Sequence, residues 1–290
     1  MGAHPSSLTV RCLAEGLGTW LLVLFGCGAV HVAVLTGALS GLWQVAIVWA
    51  VAIAVAIYVV GGVSGAHLNP AVTIALAAWH RFRWAHVTPY ILSQLLGAFA
   101  AAGVLFMLYG PLLAEKDREV GRGNPGSEVT AMCYGEYFPN PGTADAATAF
   151  RNGDQERLRA LVSEPTACAA EALGTLILVL VIFAVTDERN SAAPAGHLAP
   201  VFIGLTVAIL IAVIAPLTQA CFNPARDFGP RLFAYLAGWG SVALPGLRST
   251  GFFTVYILAP MVGGFAGGGV YLYVVRPGLS RPPAERIIRS

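Results

Sequence analysis

The tripeptide Asn-Pro-Ala occurs twice in this chain, as Asn69-Pro70-Ala71 within SGAHLNPAVT and as Asn223-Pro224-Ala225 within QACFNPARDFGPR. Proline suits the first position of a helix, where its missing N–H costs nothing, and Asn is a strong N-cap. Each tripeptide therefore predicts a helix start. The apolar runs that follow, Ala71–Trp79 and Ala225–Leu236, are too short to cross a bilayer, which takes about 20 residues. Two half-spanning helices in corresponding places of an apolar chain point to a site near the membrane midplane.

Composition supports a membrane setting. Hydrophobic residues make up 57% of the 290 residues and charged residues 11%, against roughly 25% charged in a soluble domain. Spans are predicted at Leu8–Leu35, Leu42–Gly62, Ala85–Tyr109, Thr166–Thr186, Leu198–Ala215 and Gly251–Val275. The first apolar run is full length with no cleavage-type site after a short core, so no removable signal peptide is expected. The net charge of +2 comes with no basic tract interleaved with aromatics, which argues against a nucleic-acid partner. The five cysteines are odd in number and no pair has metal-ligand spacing. Cys12, Cys27, Cys133 and Cys168 are expected to pack as small apolar residues. Cys221 stands two residues before Asn223, and its backbone is a candidate for the site. No metal or cofactor is expected.

The halves repeat. Ala14-Glu15-Gly16-Leu17-Gly18-Thr19 opens the first span and Ala170-Glu171-Ala172-Leu173-Gly174-Thr175 the fourth. Three spans per repeat is an odd number, so the second half enters from the opposite face. The expected fold is an all-α membrane protein of six transmembrane helices plus two half-helices, arranged as an inverted repeat. The first repeat covers 1–110 with its half-helix at 69–79, and a long extracytoplasmic loop covers 111–165. The second repeat covers 166–276 with its half-helix at 224–236, and a tail covers 277–290. Arg81 and Arg83, with Arg276, Arg281, Arg286 and Arg289 of the tail, place both termini and the His80–His86 connection in the cytoplasm. The Gly110–Pro165 connection then lies outside, although it carries six basic beside nine acidic residues. Within it Asp154–Val162 is a candidate amphipathic helix. Gly263 with Gly267, and Gly264 with Gly268, have the spacing that lets membrane helices approach closely. Trp20, Trp43, Trp79, Trp84 and Trp239 fall near span ends, where interfacial anchoring is the default.

Opposed half-helix N-termini create a positive focus at the midplane. Asn69 and Asn223 add side-chain donors there. The irregular backbone before each helix, Gly65-Ala66-His67-Leu68 and Gln219-Ala220-Cys221-Phe222, cannot face lipid and must line a cavity. Its carbonyls then form a ladder of acceptors. Such a path suits neutral hydroxylated solutes and opposes cations and protons. Arg226 is costly in an apolar chain and is expected to face an aqueous path rather than serve only in a salt bridge with Asp227. Asp227 is expected to brace its loop. Glu15 and Glu171, matched between repeats, are expected to accept hydrogen bonds from the two irregular loops, a proton relay being the alternative. His67 is a candidate for a hydrogen-bonded wall residue or a protonation gate.

The paired motifs, the doubled Ala-Glu-x-Leu-Gly-Thr and the six-plus-two layout resemble the major intrinsic protein (aquaporin) family over nearly the whole chain. The resemblance implies a multi-pass homotetramer of the cell membrane, with one pore per subunit, passing water or small neutral solutes without a cofactor. Asp227 and Arg231 in NPARDFGPR, Trp49 twenty residues before Asn69, and Tyr109 resemble the glycerol-facilitator branch. Tyr137-Phe138-Pro139-Asn140-Pro141 resembles the turn that caps the outer mouth there. Arg226 matches the filter arginine. Tyr256 replaces an expected proline, and Ala220 stands where facilitators carry an aromatic. The stretch Ile214–Thr218 reads as shorter than the family's by roughly one helical turn. That leaves the fourth filter position open between Ala215, the first choice, and Ile211 or Ala212.

The expectation is a wide filter of Trp49, Ala215, Ala220 and Arg226, passing glycerol, water, urea and uncharged metalloid acids. Alternatively Phe222 swings in to fill the gap and restores a narrow slot; a mainly water-selective channel is the alternative function. A secondary transporter shares this architecture, but the only carboxylate beside an Asn-Pro-Ala is Asp227, next to an arginine. A membrane enzyme finds no nucleophile–base pair, metal cluster or phosphate loop.

Overall fold

The computed structural model describes residues 6–279, and Arg281, Arg286 and Arg289 of the tail lie outside them. Among the described residues six segments are long and apolar enough to cross a membrane. They are built on α1 (Leu8–Thr36), α2 (Leu42–Ser64), α4 (Val87–Lys116), α8 (Glu164–Val185), α9 (Ala199–Thr218) and a final span, α11 (Gly251–Gly278). Two short helices, α3 (Pro70–Ala78) and α10 (Pro224–Ala234), begin at the two Asn-Pro-Ala motifs, each with proline in its first turn.

Several spans outrun the sequence expectation, α4 by the most. α4 continues past Tyr109 and through Pro111 to Lys116, where Leu113 alone is buried, in an apolar cluster formed with the following connection, while the rest of the added segment is largely exposed. α9 continues through Pro216 to Thr218 and stops where Gln219 takes a left-handed conformation and donates its N–H to the Ala215 carbonyl.

The connection between α4 and α8 is folded. It contains α5 (Glu128–Ala131), α6 (Ala144–Arg151) and α7 (Gln155–Leu161), with Asp154 capping α7 by accepting from the Arg157 N–H at 2.8 Å. Met132, Tyr134, Phe150 and Leu158 form a core with Trp239. Trp239 is therefore no interfacial anchor. It is fully buried and donates its indole N–H to the Thr130 hydroxyl at 3.0 Å, because the connection lies over it. Trp43 and Trp84 are exposed at the starts of their spans.

The packing has the order of a repeat. The first span of each half lies against the third span of the same half, α1 on α4 and α8 on α11. Each half-helix lies against the third span of the other half, α10 on α4 and α3 on α11, while α2 and α9 pair across the middle. Glycines set these crossings by bringing backbones together. A Cβ on Gly97 of α4 would sit 2.1 Å from the Gly16 carbonyl oxygen of α1, and one on Gly204 of α9 would sit 2.2 Å from that of Ala50. Gly263 and Gly267 of α11 meet the carbonyls of Ala172 and Leu176 on α8 in the same way, at 2.0 and 2.2 Å. Their neighbours Gly264 and Gly268 face the Ala71 carbonyl and the Trp79 ring of the first half-helix region.

Two buried carboxylates fix the loops that precede the half-helices. Glu15 accepts from the Ser64 hydroxyl at 2.7 Å, from the backbone N–H groups of His67 and Leu68 at 2.8 Å each, and from the Gln94 amide at 2.7 Å. Glu171 accepts from the Thr218 hydroxyl at 2.6 Å and from the N–H groups of Cys221 and Phe222 at 2.9 and 2.8 Å. Three partners correspond between halves, Ser64 with Thr218, His67 with Cys221 and Leu68 with Phe222, while Gln94 is an additional donor to Glu15. No helix or sheet serves these N–H groups, and leaving them unpaired at membrane depth is costly.

Two outcomes are expected. Glu171→Ala orphans three buried donors, each worth about 1–3 kcal/mol, so the purified protein should melt far below wild type in detergent, with Glu171→Gln intermediate. Gly263→Leu should lower the melting temperature by overpacking, at the upper end of about 1–3 kcal/mol, since the obstacle is a backbone carbonyl that cannot rotate away. Fluorescence-detected size-exclusion chromatography after heating measures both.

Candidate conduction site

Asn69 and Asn223 are extended-backbone N-caps whose side-chain oxygens accept from their own helices, Ala71 N–H at 2.8 Å for Asn69 and Ala225 and Arg226 N–H at 3.1 and 3.3 Å for Asn223. Their amide nitrogens reach across the middle of the molecule. Asn69 Nδ2 donates to the Phe222 carbonyl and Asn223 Nδ2 to the Leu68 carbonyl, each at 2.8 Å. Each Asn thus binds the residue just before the other, and the two helix starts are clasped together. An amide nitrogen carries two N–H bonds, so one on each Asn is left beyond the clasp.

The clasp needs carbonyls turned out of the ordinary chain direction. Ala66 and Leu68 in the first loop, and Gln219, Ala220 and Phe222 in the second, have positive φ between 48° and 63°. These left-handed conformations cost non-glycine residues energy, and the carboxylate hydrogen bonds hold them in place.

A cavity of about 780 Å³ runs past the clasp. Leu39, Ser40, Gly41 and Lys116 line one end, and Leu76, Thr186, Gly196 and Ala199 line the other. Between them the wall includes Gly65, Ala66, His67, Leu68 and Asn69, then Gln219, Ala220, Cys221, Phe222 and Asn223, with Trp49 and Arg226. Every loop residue singled out in the sequence therefore stands on this wall.

The Trp49 ring is seated against Gly26, where a Cβ would fall 2.3 Å from it, and the Arg226 guanidinium stands 4.7 Å from the ring centroid. Arg226 is buried and held from the long connection: Nη1 donates to the Tyr134 carbonyl at 3.1 Å, and Nη2 pairs with Glu136 Oε1 at 2.7 Å. Its ion partner is thus Glu136 and not Asp227. Asp227 pairs with Arg231 one turn on, at 2.8 Å, and accepts from the Glu136 N–H at 2.7 Å, while Arg231 Nη2 donates to the Glu136 carbonyl. The Asp227–Arg231 pair therefore fixes the backbone that carries Glu136.

The face of α9 turned to the cavity carries Val207, Ile211 and Ala215. Ala212 is turned outward and exposed, so it leaves the set of filter candidates, while Ile211 and Ala215 both remain on the wall one turn apart. The Phe222 ring does not close the gap at Ala220. It packs against α8 at Gly174, where a Cβ would lie 2.0 Å from it, and only glycine there admits the ring. Tyr256 is buried and donates its hydroxyl to the Thr218 carbonyl at 3.2 Å, behind the second loop. His67 contacts the Thr73 hydroxyl through Nδ1 at 3.2 Å and lies against the Phe82 and Tyr90 rings. Tyr137 N–H donates to Gln219 Oε1 at 2.8 Å and Asn140 Nδ2 to the Ala215 carbonyl at 3.1 Å, which seats the connection on the second loop.

Glu136 is the site residue that sequence reasoning missed. Its one signal was position: an acidic residue beside Tyr137–Pro141, the turn already assigned to the mouth. Burial pushes its carboxyl up to about 7 although Arg226 opposes the rise. Among the described residues no group of three His, Cys, Asp or Glu side chains could hold a metal ion.

Comparison with known proteins agrees with this geometry. Residues 3–271 match the Major intrinsic protein family. The chain is 41% identical over 287 residues to the glycerol uptake facilitator protein of Pseudomonas aeruginosa, covering 98% of this chain and 95% of that one. It is 40% identical over 271 residues to a propanediol uptake facilitator of Citrobacter freundii, covering 93% of each. Among solved structures, the aquaglyceroporin from Plasmodium falciparum superposes with a TM-score of 0.77 at 25% identity, covering 93% of this chain and 98% of that one. With the capped half-helices, the clasp and the through-running cavity in place, this chain belongs to the major intrinsic protein family.

Proposed function

We propose that this protein is a passive channel through the cell membrane for small neutral solutes, glycerol foremost, with water, urea and uncharged metalloid acids also admitted. The observation that carries the reading is the crossed Asn69–Asn223 clasp on the wall of a cavity whose ends lie at opposite ends of the spans. Solutes pass in single file. At the clasp they meet the remaining amide N–H groups and two helix N-termini, whose partial positive charge opposes cations. The carbonyls of 65–68 and 219–222 serve as acceptors along the path. The glycerol and propanediol uptake facilitators among the relatives support this solute class.

The filter is formed by Trp49, Ala220 and Arg226 with the α9 wall at Ala215 and Ile211. It is wide because Ala220 supplies only a methyl group and the Phe222 ring is committed to Gly174. Transport needs no chemical change in the solute and no coupled ion. The protein works as a homotetramer in the inner membrane, with both termini in the cytoplasm, as the arginines at 81, 83 and 276 support. The long connection then covers the outer mouth.

Proteoliposomes test this. The wild type should shrink and reswell in glycerol well above protein-free vesicles, independently of sodium or proton gradients. Fast water flux with glycerol excluded would sink the reading. Ala220→Phe should leave glycerol flux within about twofold and cut that of a bulkier polyol such as erythritol by roughly tenfold, equivalent to about 1.4 kcal/mol of added barrier.

A further inference from the structure

We propose that Arg81 and Arg276 form a binding site for the phosphodiester headgroup of an anionic phospholipid, at the span ends proposed above as cytoplasmic. The inference needs only that the chain spans a membrane, so it stands or falls apart from the solute reading.

Three segments meet there. Arg81 follows the half-helix α3, Asp187 follows α8, and Arg276 stands near the end of α11. Arg81 Nη2 lies 3.5 Å and Arg276 Nε 3.2 Å from the same oxygen, Asp187 Oδ2. The other oxygen, Oδ1, accepts from the Arg189 N–H at 3.0 Å. Two guanidinium groups thus share one carboxylate, and the cluster keeps a net positive charge; Glu188 and Arg189, next in the chain, offset each other. Neither contact has hydrogen-bond geometry, since Asp187 Oδ2 and Arg276 Nε are both buried without a hydrogen-bond partner. Among the described residues no nitrogen of Arg81 and neither Nη of Arg276 donates a hydrogen bond to the protein, and the two side chains are 24% and 37% exposed. Arg81 is nevertheless held in place, its guanidinium 4.2 Å from the centroid of the Phe183 ring, a contact that uses none of its donors.

A pair of planar cations rich in free donors matches an acceptor-rich anion, and phosphate oxygens fit guanidinium forks. The surroundings assign that phosphate to a lipid. Trp79, two residues before Arg81, donates its indole N–H to the Phe265 carbonyl of α11 at 2.9 Å. Its ring stacks on that of Phe265 at 4.9 Å and meets Tyr273, three residues before Arg276, edge-on at 5.7 Å. Phe265, Tyr273 and Val274 are 50%, 74% and 73% exposed. Aromatic rings at a span end sit at the level of the headgroups, and an exposed apolar face of a span meets acyl chains. The arginines and this platform therefore offer one molecule a place for its phosphate and for its tails. Basic groups between spans on the cytoplasmic side serve acidic headgroups in this way. A soluble anion would use the arginines alone.

The test is lipid binding to the purified full-length protein in detergent, read by native mass spectrometry. Phosphatidylglycerol and phosphatidylcholine with the same acyl chains are titrated separately. The wild type is expected to bind phosphatidylglycerol at least about tenfold more tightly, with Arg81→Gln and Arg276→Gln each cutting that preference about fivefold, the scale of one arginine at a membrane surface. Arg118→Gln, an exposed arginine of the long connection, should leave it unchanged. The preference is a ratio within one protein, so a general loss of stability in a variant cancels, and the wild-type comparison needs no variant at all. Equal binding of the two lipids by the wild type would overturn the proposal, as would a preference that survives in both Arg81→Gln and Arg276→Gln. Displacement of phosphatidylglycerol by an equal concentration of inorganic phosphate would give the site to a soluble anion and overturn the lipid assignment.

Discussion

Irregular backbone at membrane depth has no water to satisfy it, and the two carboxylates that do so are what the rest of the structure depends on. Each half-helix can begin in mid-bilayer only if the loop leading to it has partners for its N–H groups. Glu15 and Glu171 supply them, with two backbone donors and a hydroxyl apiece. Because these N–H groups point back at the carboxylates, the carbonyls of Leu68 and Phe222 are free to reach the opposite asparagines. The positive φ values of both loops are the backbone expression of that division. A charged residue inside a span, usually a sign of transported charge, is here a fastener.

The spans bring these parts to one place by close backbone contact rather than by large interlocking side chains. Gly97, Gly204, Gly263 and Gly267 each face a carbonyl of the neighbouring span at a distance no Cβ could share. Lipid tails are as apolar as the side chains, so burial of apolar surface gives little drive for association in a membrane, and close contact takes its place. The exchange of half-helices, each lying against the third span of the other half, means that neither half completes the path alone.

The connection between the halves supplies the remaining part. It is anchored through its own core around Trp239 and through polar ties to the second re-entrant loop, Tyr137 to Gln219 and Asn140 to Ala215. The Asp227–Arg231 pair, buried one turn past the second Asn-Pro-Ala, is the hinge between the two regions. It stabilises the connection, and the connection in turn holds Arg226 through Tyr134 and Glu136.

Much of this was legible in the residues, because local rules govern it. Apolar length marked the six spans. Asparagine followed by proline marked both half-helix starts, and the matched Ala-Glu-x-Leu-Gly-Thr segments pointed to two equivalent glutamates with equivalent tasks. Trp49 and Arg226 were singled out by resemblance to the family, through their positions relative to the motifs, and both stand on the cavity wall. What the sequence left open depends on contacts between residues far apart in the chain. Ala212 could be separated from Ile211 and Ala215 only once the rotation of α9 about its axis was known, since neighbouring helix positions point about 100° apart. The fate of the Phe222 ring hung on Gly174, 48 positions away, and the burial of Trp239 on a connection whose fold has no strong periodic signal. Glu136 is the clearest case: a charged residue in a charged stretch has no pattern to distinguish it. It joins Arg226 only because the folded connection, tied down by Asp227 and Arg231, carries it to the pore wall.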